Sequence, residues 1–261
     1  MSPRRPERPS AERGHSGGGD RYGAGAGERL TGSVEDYLKA IYELHEGSAM
    51  PAATSAIAER LDIAPPSVSG MLRRLAGLEL ITHAPYRGVS LTASGRRAAL
   101  RMLRRHRVIE AYLTDELGYP WDRVHAEAER LEHAASDELI DRMAAVLGHP
   151  ATDPHGAPIP TREGTLVVAP TQPLADQAVG SMARVASVGD EDGELLRYVA
   201  SLAIRPGARV TVVARAPFDG PLTVEVAGKG AKARRTHVVG SAVARAVLVD
   251  APAKAKRRKP S

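Results

Sequence analysis

The order of hydrophobic periodicities between residues 33 and 92 constrains the fold more than any other feature of the chain. Apolar residues recur first at helical spacing and later in short strand-like runs bounded by Gly and Pro. The expected elements are a helix capped by Ser33, a short helix at 54–61, a helix at 67–75 preceded by Pro65-Pro66, and strands at 80–83 and 88–92. Helix, short helix, helix and hairpin is the order of a winged helix-turn-helix.

The third of these helices carries small polar and basic residues that suit DNA recognition. A helix fits the major groove, and its N-terminus favours anions such as phosphates. The predicted DNA contacts are Pro66, Ser67, Ser69, Arg73 and Arg74 on the helix, with Tyr86 and Arg87 at the hairpin tip. Some winged helices make only protein contacts, but six arginines and no acid between Arg96 and Arg107 favour DNA. Because the presumed reading face has no Asn or Gln, phosphate contacts and DNA shape should supply much of the affinity.

Two longer helices are expected next, an Arg-rich one at 93–117 and an acidic one at 121–147. An apolar stripe is predicted to run along the acidic helix through Val124, Ala128, Leu131, Ala135, Leu139, Met143 and Val146. Beside that stripe lie His125, Glu129, Glu132 and His133, at i, i+4, i+7 and i+8. The Arg-rich helix adds His106 and Glu110, and Asp36 on the first helix could complete the set. Imidazoles and carboxylates on packed helices are the ligands of a divalent ion.

The domain limits follow from composition. The segments expected are a disordered tail at 1–30, a winged-helix domain at 31–98, a helical metal-binding and dimerisation domain at 99–160, a linker at 161–173, a small SH3-like domain at 174–250 and a basic tail at 251–261. Within the last domain a helical piece is expected near 194–203, with Val-rich strands at 208–214, 222–227 and 243–249.

The overall composition excludes several classes of protein. The chain has no cysteine, which excludes disulfides, thiolate zinc sites and cysteine nucleophiles. No run resembles a membrane span of about 20 apolar residues, so we expect no membrane partner and a cytoplasmic protein. A net charge of +5 is a weak indication of a polyanionic partner.

Several runs in register resemble the diphtheria-toxin-repressor family of metalloregulators. They are SVEDYLKAIYEL (33–44), PPSVS (65–69), LTASG (91–95), RRHRVIE (104–110), VHAEAERLEHAASDE (124–138) and DPHGAPIP (153–160). The resemblance spans about residues 33–160, and 173–250 are more loosely similar to the family's C-terminal SH3-like domain. It implies a protein that is mainly α, with a winged helix-turn-helix, a helical dimerisation domain and a C-terminal SH3-like β-barrel.

The resemblance also implies a primary metal site. Its ligand positions correspond to Asp36, His106, Glu129, Glu132 and His133. Iron-type members are expected to have Met and Cys at the positions of Asp36 and Glu129. Oxygen donors at both positions resemble the manganese-type members.

An ancillary site is implied with two alternative ligand sets. In three-domain manganese members, a second ion is bound at the positions that correspond to Glu110, Asp153 and His155, and Asp190 is the candidate carboxylate from the last domain. In iron-type members, the ligands would be at the positions of His106, Glu110 and His125. Lys39 replaces the Glu by which two-domain manganese members bridge two close ions, which argues against a bridged pair at the primary site.

The sequence therefore predicts a metal-dependent transcription repressor that binds a palindromic operator in double-stranded DNA as a homodimer. Mn(II) is the expected cofactor and Fe(II) the alternative. One rival is a metalloenzyme with a His/carboxylate site, but the chain has no Gly-rich nucleotide loop or nucleophile motif to support it. The other is a winged-helix sensor of a small organic ligand, which would need an apolar or aromatic pocket in a chain with only 3% aromatic residues.

Overall fold

The computed structural model describes residues 30–46, 50–84, 88–190, 192–227 and 234–251, without the side chains of Glu46 and Ala84. The elements are α1 (Gly32–Glu46), α2 (Thr54–Arg60), α3 (Pro65–Gly77), β1 (Ile81–Ala84), β2 (Gly88–Leu91), α4 (Ala93–Asp115), α5 (Val124–Glu132), α6 (Asp137–Val146), β3 (Thr171–Pro173), β4 (Met182–Val188), α7 (Gly193–Ser201), β5 (Arg209–Arg215), β6 (Leu222–Ala227), β7 (Arg234–Val239), α8 (Ser241–Ala246) and β8 (Val247–Asp250). The expected disordered and basic tails lie outside the described residues except for Leu30 and Ala251.

The N-terminal part is the predicted winged helix. Helices α1 and α3 pack on the antiparallel hairpin β1–β2, and α2 packs on α1 and α3. Ala52 extends this small sheet by a bridge to Val89. Helix α3 begins with two prolines, which tolerate the first helical positions because their missing N–H groups would have no helical acceptor there. Its inner face is fully buried through Val68, Leu72 and Leu75.

Helix α4 is the long element that joins the winged helix to the rest of the protein. Thr92 caps its N-terminus by accepting a hydrogen bond from the Gly95 amide. Gly95 permits a close approach to the hairpin, because a Cβ there would lie only 1.9 Å from the Leu80 carbonyl oxygen. Helix α4 then packs on α1, α5 and α6. The candidate ligands of α1 and α5 therefore meet those of α4 along this helix.

The single acidic helix expected at 121–147 is wrong, because the chain forms two helices there. Helix α5 ends at Glu132, and α6 starts after Ser136, whose hydroxyl accepts a hydrogen bond from the Leu139 amide. A serine that caps a new helix competes with continuation of the old one. The predicted apolar stripe is also wrong in part. Val124 and Ala128 are buried, whereas an outward group formed by Leu131, Leu139 and Val146 is exposed on the protomer.

The C-terminal part is the predicted SH3-like domain. Six strands form one antiparallel sheet in the order β3-β8-β4-β5-β6-β7 around a core rich in valine. The strands expected at 208–214 and 222–227 are present as β5 and β6. The strand expected at 243–249 is wrong in its first half, where α8 precedes β8. Among the described residues, no helix has both the length and the apolar character needed to cross a membrane.

Candidate metal centres and DNA-binding surface

One group of candidate ligands lies where α1 meets the C-terminal end of α5. Asp36, Glu132 and His133 each offer a donor atom within 4.8 Å of the others. His133 Nε2 lies 2.9 Å from Asp36 Oδ1, and His133 Nδ1 is bonded to Glu35 Oε2 at 3.0 Å. Burial raises the pKa of Asp36, although the charge of His133 opposes that change. This group therefore joins the DNA-binding domain to the helical domain.

Glu129 was expected in the same group, but its carboxylate turns towards another residue. Its Oε1 lies 3.4 Å from His125 Nε2, and its side chain is 55% exposed. The contact with His125 lowers the pKa of Glu129 to about 2. Glu129 nevertheless lines the same cleft as Asp36, Glu132 and His133.

Lys39 makes contacts that the sequence did not predict. Its ammonium nitrogen lies 3.2 Å from both carboxylate oxygens of Glu132 and 3.2 Å from Nδ1 of His106. Lys39 is 9% exposed and Glu132 is 2% exposed, so this ion pair is largely removed from water. These contacts, together with that of His106, lower the pKa of Glu132 although burial acts to raise it.

His106 lies between two groups of candidate ligands. Its Nδ1 is 2.6 Å from Glu132 Oε2, and its Nε2 is 3.0 Å from both Glu110 Oε1 and His125 Nδ1. Burial alone would lower the pKa of His106, but the bonds to Glu110 and Glu132 outweigh it and raise that pKa. The structure thus places the imidazole, expected with Asp36, between the Asp36 group and a second, buried cluster.

The first part of this buried cluster consists of His106, Glu110, His125 and Asp190. Glu110 Oε1 lies 3.2 Å from His125 Nδ1, and Asp190 Oδ2 lies 3.6 Å from the same nitrogen. Burial would lower the pKa of His125, but the surrounding carboxylates, led by Asp190, raise it to about 12. Near neutral pH a metal ion would therefore have to displace a proton from this ring.

The second part shares Glu110 and Asp190 and adds Asp153 and His155. Asp153 accepts hydrogen bonds from the amides of His155 and Ala157, which fixes the turn that carries His155. Burial and the negative charge of Glu110 raise the pKa of Asp153 to about 7. The neighbouring carboxylate of Glu110 raises the pKa of His155 to about 9 against the effect of burial.

The buried cluster fits a divalent ion by an observation independent of resemblance. Three of its fully buried atoms have no hydrogen-bond partner among the described residues, namely Glu110 Oε2, Asp153 Oδ2 and His155 Nδ1. Buried polar atoms of native proteins are normally paired. His155 also donates from Nε2 to the Trp121 carbonyl at 2.7 Å, which orients Nδ1 into the cluster as metal-binding histidines require. Both ligand sets expected from the sequence are thus brought together here.

Comparisons with known proteins agree with this arrangement. The N-terminal DNA-binding domain of iron-dependent repressors matches residues 29–89, their metal-binding and dimerisation domain matches 92–161, and the FeoA domain matches 172–251. The chain is 34% identical to the iron-dependent repressor IdeR of Mycobacterium tuberculosis over 70% of its own length and 84% of that protein. It is 44% identical to the diphtheria toxin repressor of Corynebacterium jeikeium over 50% of its own length, which spans 54% of that protein. The chain belongs to the iron-dependent repressor family.

Solved structures place the repressor in the same family. A manganese-dependent transcriptional repressor in complex with manganese matches with a TM-score of 0.78 and 42% identity, over 84% of this chain and 100% of that one. The manganese regulator SloR matches with a TM-score of 0.67 and 32% identity, over 83% of this chain and 98% of that one. The predicted family, fold class and repressor activity are confirmed. The metalloenzyme alternative is not supported, because the matched family models and relatives are those of transcriptional repressors.

The DNA-binding domain of the repressor presents the expected helical surface. The predicted contact residues of α3 are all exposed, namely Pro66, Ser67, Ser69, Arg73 and Arg74. The guanidinium of Arg73 bonds the Ser69 carbonyl at 3.3 Å, which directs this side chain along the helix. Tyr86 and Arg87 of the hairpin tip lie outside the described residues.

The sequence analysis missed two residues that orient His133. Glu35 accepts from His133 Nδ1, and Arg105 Nη1 in turn lies 3.3 Å from Glu35 Oε1. The sequence did contain a signal for Glu35, because two adjacent acids, Glu35 and Asp36, begin α1 and only Asp36 was given a role.

Proposed function

We propose that Mn(II) activates this repressor for operator binding, with Fe(II) as the alternative metal, and that Asp36, Glu129, Glu132 and His133 form the primary site. The observation that carries the proposal is the 2.9 Å contact between His133 on the helical domain and Asp36 on the DNA-binding domain. Any ion held by both residues must favour one orientation of α1 relative to α5. We retain the domain limits expected from the sequence, except that the SH3-like domain begins at Thr171, because β3 belongs to its sheet.

The choice of metal rests on the donor atoms. Carboxylate oxygens and imidazole nitrogens suit Mn(II), whereas sulfur ligands favour softer ions. The chain has no cysteine, and none of these four positions is a methionine. Since Mn(II) binds most sites more weakly than later metals do, selectivity has to come from coordination geometry. Relatives are named for both metals, as iron-dependent repressor and as manganese-dependent repressor.

The residues around the primary site have separate tasks. Asp36 and Glu132 supply negative charge, and His133 supplies a nitrogen that Glu35 orients. A bound ion would supply the positive charge between these donors. Asp36, held in this way beside Glu132 and His133, would fix the orientation of the winged helix, and with it α3, on the helical domain.

The DNA target follows from the dimer. The two recognition helices of a homodimer meet successive major grooves when they are about 34–36 Å apart, and a two-fold axis then selects a palindromic operator. A repressor of this kind works in the compartment that contains the DNA, so the cytoplasm remains our expectation. Because metal and DNA favour the same state, DNA must tighten metal binding by the same factor.

The buried cluster is proposed as an ancillary site that joins the C-terminal domain to the helices. Glu110, Asp153, His155 and Asp190 form one donor set, and His106 with His125 supports the alternative set around the same Glu110. Asp190 follows β4 in the SH3-like domain, whereas Glu110 belongs to α4. An ion here would hold the two domains together.

The test is DNA binding by the full chain, measured anaerobically by fluorescence anisotropy on its own upstream DNA. Mn(II) should restore binding after EDTA treatment, and Fe(II) should restore it less completely, because selectivity depends on coordination geometry rather than on affinity. The substitution Asp36→Asn should lose at least about tenfold in Mn(II)-dependent affinity, the size of loss expected when a metal's surroundings are altered. Glu225→Gln, which removes an acid of β6 paired with Arg234, is the matched control and should behave as the wild type. Equal DNA binding in EDTA and in Mn(II) would contradict the proposal.

A further inference from the structure

We propose that Lys39 is an internal competitor of the metal ion: its ammonium group binds Glu132 until an ion takes that carboxylate, and so raises the metal concentration at which the repressor binds DNA. The inference rests on the proposed metal activation and adds the residue that tunes it. Lys39 lies three residues after Asp36 on α1, so both side chains face the same part of the proposed metal site.

The Lys39 ammonium is well placed to stabilise Glu132. It lies 3.2 Å from both oxygens of that carboxylate, so two of its three hydrogens have acceptors within reach on Glu132 alone. A carboxylate as buried as Glu132 is costly without a partner. The ion pair therefore stabilises the negative charge that a metal would also use.

An ion and the ammonium compete because both are positive and both need the same oxygens. A divalent ion bound to Glu132 and the neighbouring Lys39 ammonium would repel each other, and in a buried site this repulsion is only weakly screened. Metal binding must therefore move the ammonium away from Glu132, and the lost ion pair reduces the affinity for the metal.

The first experiment compares wild-type protein with Lys39→Met and Lys39→Arg. Methionine keeps an unbranched side chain without the charge, whereas arginine keeps the charge and is the matched control. Free Mn(II) is measured by electron paramagnetic resonance during titration of the full chain. We expect Lys39→Met to bind Mn(II) at least about tenfold more tightly, which corresponds to about 1.4 kcal/mol, and Lys39→Arg to stay within about twofold of the wild type.

The metal-free variants provide a readout besides affinity. Lys39→Met prepared in EDTA should melt at a lower temperature than the wild type, because the buried Glu132 carboxylate has lost one of its two partners and keeps only His106. Equal or weaker Mn(II) binding by Lys39→Met would overturn the proposal. If neither wild type nor variant binds Mn(II), the proposed metal activation fails as well, whereas equal binding by both removes only the role of Lys39.

A second experiment uses the wild type alone and so does not depend on the folding of a variant. An amine-reactive reagent is added with and without Mn(II), and the labelling of each lysine is read by mass spectrometry, with Lys254 as the internal reference. Labelling of Lys39 should rise when Mn(II) is added, because the ammonium is released from Glu132. Unchanged or slower labelling of Lys39 would refute the inference.

Discussion

His133 is one of the residues through which the helical domain contacts the first helix. Its two ring nitrogens contact different acids of α1, Asp36 at 2.9 Å and Glu35 at 3.0 Å. Its side chain is about one-third exposed, so it contributes to a connection between domains more than to the apolar core. Removing it should therefore affect metal response before it affects folding.

We predict that His133→Ala reduces Mn(II)-activated DNA affinity at least about tenfold, because the proposed ion loses its nitrogen ligand at this junction. The dimer should remain, as shown by light scattering, since no buried apolar contact is removed. Anisotropy titrations with the upstream DNA provide the measurement. If the variant fails to dimerise, His133 is structural and its assignment as a ligand is unsupported.

At the same scale, spacing along a helix predicts which face a residue occupies but not where its side chain ends. Glu132 and His133 lie beside Asp36 as the spacing implied. Glu129 shares their cleft, yet its carboxylate turns towards His125 because that imidazole is one helical turn away. The contacts of Lys39 could not be predicted, since they depend on the packing of α1 against α4 and α5.

At the scale of elements, the junction between the wing and α4 depends on a backbone contact. Gly95 lies in the first turn of α4, directly against the Leu80 carbonyl that precedes β1. This contact sets how closely the long helix approaches the hairpin, and therefore how the winged helix is mounted. Any side chain at this position would force the two elements apart.

We predict that Gly95→Ala lowers the free energy of unfolding by about 2 kcal/mol or more, because backbone atoms have to move. The matched control is Gly70→Ala in α3, where an added Cβ meets nothing within 4 Å of the described atoms. That control should be neutral or stabilising by up to about 1 kcal/mol, since alanine is the better helix former. Denaturant unfolding at one fixed protein concentration compares them. Equal effects of the two substitutions would show that the close approach has no energetic importance.

Elements with clear periodicity were predicted well, and those defined by tertiary packing were not. The winged helix and β5 and β6 follow from local patterns. Strands β3, β4 and β7 were missed, and β3 lies in the segment that was expected to be a linker. In β7 the sequence RRTHVV lacks alternation, and only its last residue is buried. The break between α5 and α6 was missed because helical apolar spacing continues across it, although Ser136 followed by two acids is a usual start of a helix.

At the scale of the whole molecule, we predict that the exposed apolar residues Leu131, Leu139 and Val146 contribute to the dimer contact. These residues are exposed on the protomer, although they continue the apolar pattern of the helices. Apolar side chains grouped on a protein surface mark contacts with other chains. They belong to the part of the chain that matches the family's metal-binding and dimerisation domain.

We predict that Leu139→Lys shifts the repressor from dimer to monomer and weakens DNA binding, because two half-sites can no longer be bound together. Sedimentation velocity reads the oligomeric state. Val238→Lys on β7 is the control, because it places the same charge at another exposed apolar position. A Leu139→Lys protein that stays dimeric at micromolar concentration would move the interface away from α6.

The chain's one tryptophan connects the buried cluster to the C-terminal core. Trp121 packs within that core, its ring stacks on His155 with centroids 5.6 Å apart, and Arg205 lies over its ring at 4.3 Å. Its carbonyl also accepts the hydrogen bond from His155. The only tryptophan of the sequence is thus in direct contact with a proposed ligand. A paramagnetic ion held by His155 would quench its emission, so loading of the buried cluster can be followed optically in the unmodified repressor, in real time and without a dye.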